Sequence, residues 1–321
     1  MSTAFITGVN SFLGATLARQ LIARGDQVRG LIRPGGNDIL LQTLPIQRVT
    51  GDLLQPESWR EALSGCDALF HVAASFTHDP DQIPVMEKVN IEGTRLILEA
   101  ALDAGVPHIL HTSTIGTIGQ PADGTLATEE TPFNLPNPSA YVRSKRAGEQ
   151  IALDLAERGD PIVVVHPTAM LGPGDWRPSA SGAKVLAFLQ DRPLRYMPGG
   201  INWTPVQDVA AGMILALEKG QPGRRYILGH ARGNLSETEF RALLARASGK
   251  PAPKPREARW KQQLRRLLKT TPPPQPPRRG TSPQRLTCDP ARAITELGMP
   301  QSDLLTAARQ EIAWYQKMGM W

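Results

Sequence analysis

Tyr141-Val142-Arg143-Ser144-Lys145 sets a phenol and an ammonium four residues apart. On a helix such residues share a face, with Cβ atoms about 5–6 Å apart. A cation beside a phenol favours the phenolate, so this spacing predicts a lowered Tyr141 pKa and a proton exchangeable near neutrality. Alone, Y-x-x-x-K is a weak signal that many helices carry by chance. Its weight comes from context. His108–His111 reads as a strand that runs into Thr112-Ser113-Thr114, which puts hydroxyls at a strand's carboxyl end. Ligands of open parallel sheets bind outside such ends.

A second constellation lies near residue 1. Thr7-Gly8-Val9-Asn10-Ser11-Phe12-Leu13-Gly14 joins a short apolar strand, Ala4–Thr7, to a helix-like segment ending near Gly25. A dinucleotide fold sets its pyrophosphate there, on free N–H groups at a helix N-terminus. Gly8 suits the tight turn, and Gly14 suits close packing of helix on sheet. The middle position, usually glycine, is Ser11, whose side chain crowds the approach while its hydroxyl offers a donor. The end of the second strand sets cofactor choice. There the chain has Leu31-Ile32-Arg33-Pro34-Gly35, with Arg33 in place of an acid. A guanidinium fork suits a 2′-phosphate, which favours NADP(H) over NAD(H). After a third strand, Asp52 of Gly51-Asp52-Leu53 is placed to accept from an adenine amino group.

Alternating elements must hold these groups. Val28–Ile32, Gln47–Val49, Ala68–Val72, His108–His111 and Ile162–His166 read as strands; 85–104 and Tyr141–Glu157 read as helices. This order predicts an α/β, doubly wound parallel sheet (Rossmann) with a smaller, mostly C-terminal substrate domain. The expected division is 1–166 plus about 203–229 for the dinucleotide domain, and about 167–202 plus 230–321 for the substrate domain. After His166 the texture loosens. A helix is expected over Ser179–Leu189, a short strand over Leu194–Met197, a helix over Val206–Glu218 and a strand over Tyr226–Leu228. A helix opened by a Ser236/Glu239 capping box should reach about Ser248, and a last helix should run from about Ser302 to Lys317. Trp176 and Trp203 suit either a substrate pocket or ordinary packing.

The 321 residues are 40% apolar and 21% charged, an ordinary globular balance. No apolar run reaches the roughly 18 residues of a transmembrane helix, and Met1–Gly8 lacks the basic start of a signal peptide. Cys66 and Cys288 alone make no disulfide framework, so a reducing, cytoplasmic setting is expected. The six histidines show no metal spacing, so no metal is implied. The net charge of +6 is local. Lys250–Arg285 holds eleven Lys/Arg and one acid, about +10, which leaves the rest near −4 and argues against a nucleic-acid binder.

TGVNSFLG, GDL (51–53), HVAA (71–74), VNIEGT (89–94), HTST (111–114), YVRSK (141–145) and HPTAMLGPGD (166–175) are collinear over about 1–230. With this set the chain resembles an extended short-chain dehydrogenase/reductase of the NAD-dependent epimerase/dehydratase superfamily. Within it, NW at 202–203 and RYILG at 225–229 resemble the dihydroflavonol-reductase-like and hopanoid-associated sugar epimerase-like groups. The resemblance implies Tyr141 as proton donor and Lys145 as ligand of the nicotinamide ribose and tuner of Tyr141. It implies Thr114, with Ser113 beside it, as hydrogen-bond partner of the substrate oxygen. Gly8, Asn10, Ser11, Phe12, Leu13, Gly14, Arg33, Asp52 and Leu53 would hold the cofactor, with Ala73 and Ala74 under its ribose. Asn90 would steady the neighbouring loop, and Pro167 and Thr168 would lie near the carboxamide.

Thr114 is followed by Ile115 and Gly116, without the acidic residues typical of 4,6-dehydratases. After the sixth strand, His166–Leu171 lacks the Asn common in nucleotide-sugar epimerases. NADPH-dependent reduction of a ketone or aldehyde on a small or hydrophobic substrate is therefore expected, the partner being a small-molecule carbonyl or sugar-like compound. A sugar epimerase that keeps its cofactor is the alternative, and a non-catalytic binding protein a further one that the intact Thr114/Tyr141/Lys145 set argues against. Helices 85–104 and 141–157 resemble the family's four-helix dimer interface, so a homodimer is expected. In the basic, Pro-rich segment at 250–286, Trp260, Leu264, Leu267 and Leu268 fall on one helical face among Lys261, Arg265, Arg266 and Lys269. This stripe at 259–269 either covers the substrate domain, the preferred reading, or makes peripheral contact with an anionic membrane.

Overall fold

The computed structural model describes residues 2–251 and 285–321; the amphipathic stripe at 259–269 lies outside the described residues. β1 (Thr3–Thr7) is a short apolar run buried almost throughout. It feeds α1 (Phe12–Ala23), which Ser11 caps by accepting the Gly14 N–H. Then come β2 (Gln27–Ile32), β3 (Gln47–Thr50), β4 (Ala68–His71), α2 (Ile83–Asp103), β5 (His108–Thr112), α3 (Ala140–Glu157) and β6 (Ile162–Pro167). The chain continues through β7 (Ala169–Leu171), α4 (Gly182–Leu189), β8 (Ile201–Pro205), α5 (Val206–Lys219), β9 (Arg225–Leu228), β10 (Asn234–Leu235), α6 (Glu237–Ser248) and α7 (Leu304–Lys317).

Seven strands form one sheet in the order β3-β2-β1-β4-β5-β6-β9. Every pairing in it is parallel. Side chains alternate between its faces. Ala4 and Ile6 enter a core that includes Leu17 of α1 and Met213 of α5. Phe5 enters the opposite core, with Ile97 of α2 and Ile151 of α3. Burial on both faces is why the inner strands read as apolar runs rather than alternating ones, while the edge strand β3 is largely exposed. Strand order turns outward on both sides of β1 and β4, so the loops after these two strands open a crevice at their carboxyl ends.

A second sheet, β10-β8-β7, backs a third core built from Trp203, Phe240, Leu244, Ile312 and Tyr315. None of its strands was anticipated. β8, Ile-Asn-Trp-Thr-Pro, is buried at all five positions and carries no alternation to read. Leu194–Met197 is not a strand. Tyr196 instead donates to the Leu235 carbonyl at 2.9 Å and accepts from Trp203 Nε1 at 2.8 Å. Trp203 stacks on Phe240 with ring centroids 4.1 Å apart, so it belongs to the core and not to a pocket wall. The helix expected from Ser179 starts at Gly182, because the Asp175 carboxylate takes the Ser179 N–H and hydroxyl. The Ser236/Glu239 capping box is present. Among the described residues no helix is long and apolar enough to cross a membrane.

Candidate active site

The loop between β1 and α1 is shaped by its glycines. Gly8 sits at φ +68°, and a Cβ there would lie 2.9 Å from the Ala73 Cα. A Cβ at Gly14 would meet the Gly8 carbonyl oxygen at 2.2 Å. The turn closes through Ser11 N–H to Gly8 O at 3.0 Å. Ser11 spends its acceptor on Gly14, at 3.0 Å. Among the described residues the Phe12 and Leu13 N–H groups have no partner. Free donors at the N-terminus of a twelve-residue helix fit an anion. Asn10 Nδ2 donates to the Asn37 carbonyl at 2.8 Å and so ties this loop to the exposed one that carries Arg33. The Arg33 carbonyl accepts the Gly36 N–H at 2.8 Å, and its guanidinium makes no hydrogen bond among the described residues. Asp52 accepts the Leu54 N–H at 2.9 Å, while the Leu53 side chain packs into the core over Gly93 of α2. This cradle fits a dinucleotide.

α3 begins under a Ser139 cap, which sets Tyr141 in the first turn and Lys145 on the next. Lys145 is buried, and its Nζ donates to the Thr112 carbonyl at the end of β5, at 2.7 Å. Burial lowers its pKa to about 8, partly opposed by Glu149. The expectation of a depressed phenol is not met. Burial raises Tyr141 to about 12, and the ammonium is turned to the strand instead of the phenol. Tyr141 is therefore a neutral phenol at neutral pH. Phe76 lies edge-on to its ring, centroids 5.0 Å apart. Thr114 caps a single turn over Ile115–Thr117, and Gly116 in that turn faces Val142 of α3.

Asn90 on α2 joins the two halves of this site. It exchanges hydrogen bonds with the Ser75 backbone at 2.7 and 2.9 Å and donates to Ser144 Oγ at 2.9 Å. Ala73 is fixed from below, where its N–H and that of Val72 both reach Thr7 Oγ1 at 3.1 Å. Past β6, Thr168 pairs with Thr204 of β8 at 2.7 Å, which joins the two sheets next to Pro167.

The model of the NAD dependent epimerase/dehydratase family matches residues 4–229. The chain belongs to that family. A Synechocystis sp. relative, whose name marks it as a candidate dihydroflavonol 4-reductase, is 36% identical over 98% of this chain and 95% of its own. Sterol demethylase protein B of Methylococcus capsulatus is 32% identical over 99% of each chain. The structure of a dTDP-glucose 4,6-dehydratase from Streptomyces venezuelae, solved with NAD bound, matches with TM-score 0.78 and 25% identity over 99% of this chain and 98% of that one. This epimerase/dehydratase family member is thus an NAD(P)-dependent enzyme of the extended short-chain dehydrogenase/reductase type.

Behind Thr114 lies a buried polar cluster that the sequence did not announce. Ser113 Oγ donates to Glu149 Oε2 at 2.7 Å, and Thr117 Oγ1 donates to the Thr114 carbonyl at 2.8 Å. His166 Nδ1 lies 3.2 Å from both Thr117 Oγ1 and the Thr114 carbonyl. The only available signal was spacing, since Glu149 follows Lys145 by four and Tyr141 by eight on one helix. His71 ends β4, and His111 and His166 lie one residue before the ends of the adjacent β5 and β6; all three are buried. Burial lowers all three pKa values, His71 to about 3, so the row is neutral. Among the described residues no group of three or more His, Cys, Asp or Glu could hold a metal.

Proposed function

We propose that this enzyme reduces a ketone or aldehyde on an apolar substrate, with NADPH as the hydride source. The observation that carries this reading is the lining of the site. The phenol of Tyr141 meets the half-exposed ring of Phe76, and no carboxylate hydrogen-bonds Tyr141 or the Thr114 hydroxyl among the described residues. Elimination from a sugar needs an acid and a base there; protonation of an alkoxide needs only a phenol. The relatives point the same way, one named for a reductase and one for a sterol.

In this reading Gly8, Asn10, Ser11, Phe12, Leu13 and Gly14 cradle the pyrophosphate, and Arg33 pairs with the 2′-phosphate. Asp52 and Leu53 border the adenine. Ala73 and Ala74 underlie the ribose that Lys145 binds, Asn90 steadies the loop beside it, and Pro167 and Thr168 adjoin the carboxamide. The bound nicotinamide supplies the hydride that adds to the carbonyl carbon. Thr114 donates to the carbonyl oxygen as negative charge grows there, and Tyr141 hands that oxygen its proton. The smaller sheet, with α4, α6 and α7, forms the substrate lobe. The exposed faces of α2 and α3 make the homodimer contact, and the buried free thiols of Cys66 and Cys288 suit a cytoplasmic setting.

The test is a panel of aromatic and aliphatic ketones and aldehydes, with nucleotide sugars alongside, mixed with purified protein and NADPH. Nicotinamide absorbance should fall with apolar carbonyls. Epimerised sugar with no net loss of absorbance would replace this reading with the epimerase one.

A further inference from the structure

Glu149 is fully buried on α3, one turn beyond Lys145, and the reaction just described gives it no part. Its two oxygens face different ways. Oε1 takes the guanidinium of Arg146 at 2.5 Å, with that of Arg225 from β9 at 3.6 Å. Oε2 takes the Ser113 hydroxyl at 2.7 Å. Ser113 is also 3.1 Å from Thr117 Oγ1, which donates to the Thr114 carbonyl. A carboxylate serving only as an ion-pair partner for Arg146, whose side chain is 29% exposed, would gain by staying near the surface with it. This one is drawn inward to the segment that carries Thr114.

Across β4 and β5 Lys145 faces His71 and His111, and His166 of β6 completes the row; burial keeps all three neutral. On α3 its neighbours are Tyr141, Arg146 and Glu149, and Arg225 reaches in from β9. Among these groups Glu149 alone is an anion, and its field favours the ammonium of Lys145.

We propose that Glu149 is the positioning residue of this site: its carboxylate fixes the Ser113–Thr114 segment and holds Lys145 in its cationic form. The inference rests on Thr114 and Lys145 acting as proposed above, but its test does not require turnover. NMR of protein labelled at lysine, with the Lys145 signal assigned through Lys145→Arg, follows the ionisation of Lys145 against pH. In Glu149→Gln, which keeps the shape and an acceptor for Ser113, the Lys145 midpoint should fall by about one pH unit or more. The thermal midpoint, measured alongside, shows that the variant is folded. An unmoved Lys145 midpoint in folded Glu149→Gln overturns the proposal. If Glu149→Gln does not fold, Glu149→Asp takes its place. Its carboxylate is drawn back by one methylene, so the Lys145 midpoint should fall by less, and no movement again overturns the proposal. Once a substrate is in hand, the kcat–pH profile of the variant should shift with the Lys145 midpoint while KM holds. If the carbonyl panel fails but the midpoint moves, the proposed reaction falls and the role of Glu149 in charging Lys145 stands.

Discussion

Two helices of this enzyme carry a tyrosine four residues from an ionisable partner, Tyr141 with Lys145 on α3 and Glu311 with Tyr315 on α7. The spacing is the same and the outcome is opposite. The Tyr315 hydroxyl donates to Glu311 at 3.0 Å and lies 3.3 Å from Asp175, and Glu311 also accepts the Gly172 N–H at 3.0 Å. That cluster pins the last helix to the loop after β7. The Tyr141 hydroxyl has no hydrogen bond among the described residues, and its helical neighbour Lys145 bonds a strand carbonyl instead. Helical spacing brings a pair within reach, and the surroundings decide whether the pair closes. A closed pair holds structure together; the open phenol of Tyr141 meets only the edge-on ring of Phe76.

The two acids extend the contrast. Glu149 has Arg146 and Arg225 beside it. Glu311 has Asp175 and a phenol, so burial, helped by Asp175, raises its pKa to about 8. Both carboxyls lie in the interior, yet only the one supplied with cations is an ion at neutral pH.

Removing the Tyr141 hydroxyl has the largest expected effect. Tyr141→Phe should leave unfolding nearly unchanged and lower turnover by about 10²–10⁴-fold, because it removes the proton donor. Near-normal turnover of an accepted carbonyl would show that another group supplies the proton.

Acid and base should act on the two regions from opposite sides. The native pKa values of His71, His111 and His166 lie below 6.5, so unfolding takes up protons as pH falls beneath that value. Stability is then lost as pH falls below 6.5, for His71 down to about 3, by about 1.4 kcal/mol per pH unit for each proton taken up on unfolding. For Glu311 the native pKa lies above the unfolded 4.5, so its contribution is full below pH 4.5 and is lost as pH rises to about 8. Denaturant melts across pH should show the acid arm in both wild type and Glu311→Gln, and a flatter arm above pH 5 in the variant only. Equal slopes above pH 5 would place Glu311 outside the linkage.

Arg33→Asp sharpens the dinucleotide side. Losing one charge-assisted fork and gaining a repulsion should weaken NADPH by about 10–100-fold, with NADH little affected. Titration of both cofactors by fluorescence reads this directly, and equal wild-type affinity for the two would remove the assignment. The smallest effect belongs to the closed pair. Tyr315→Phe should cost about 1–2 kcal/mol of stability in the same melts, since Glu311 loses the Tyr315 hydroxyl as its donor, and leave turnover of an accepted substrate in place.

Most of the seven-stranded sheet was legible because its strands are short apolar runs separated by helices, and parallel burial leaves that pattern in the chain. The β1–α1 loop was legible for a similar reason. Gly8 and Gly14 are demanded by backbone conformation and close contact, constraints that act between neighbours in sequence. The second sheet was hidden. β7 and β10 have three and two residues, and β8 is buried throughout, so none shows a period. The π-type turn at Ala293–Leu297, which packs into the first core, left no signal either.

The residues proposed to do the chemistry were written in the sequence as types and spacings: Tyr141, Lys145, Thr114, the glycine turn and Arg33. Their physical state was not. That Lys145 turns to Thr112, that Tyr141 is pushed up to about 12, that Trp203 is core and that Glu149 is an ion while Glu311 is not follow from which groups the fold brings alongside. Spacing along a helix is local and survives in the sequence. Burial and the sign of the nearest charge come from strands and helices up to 140 residues away, as between Asp175 and Tyr315, and exist only once the chain has closed on itself.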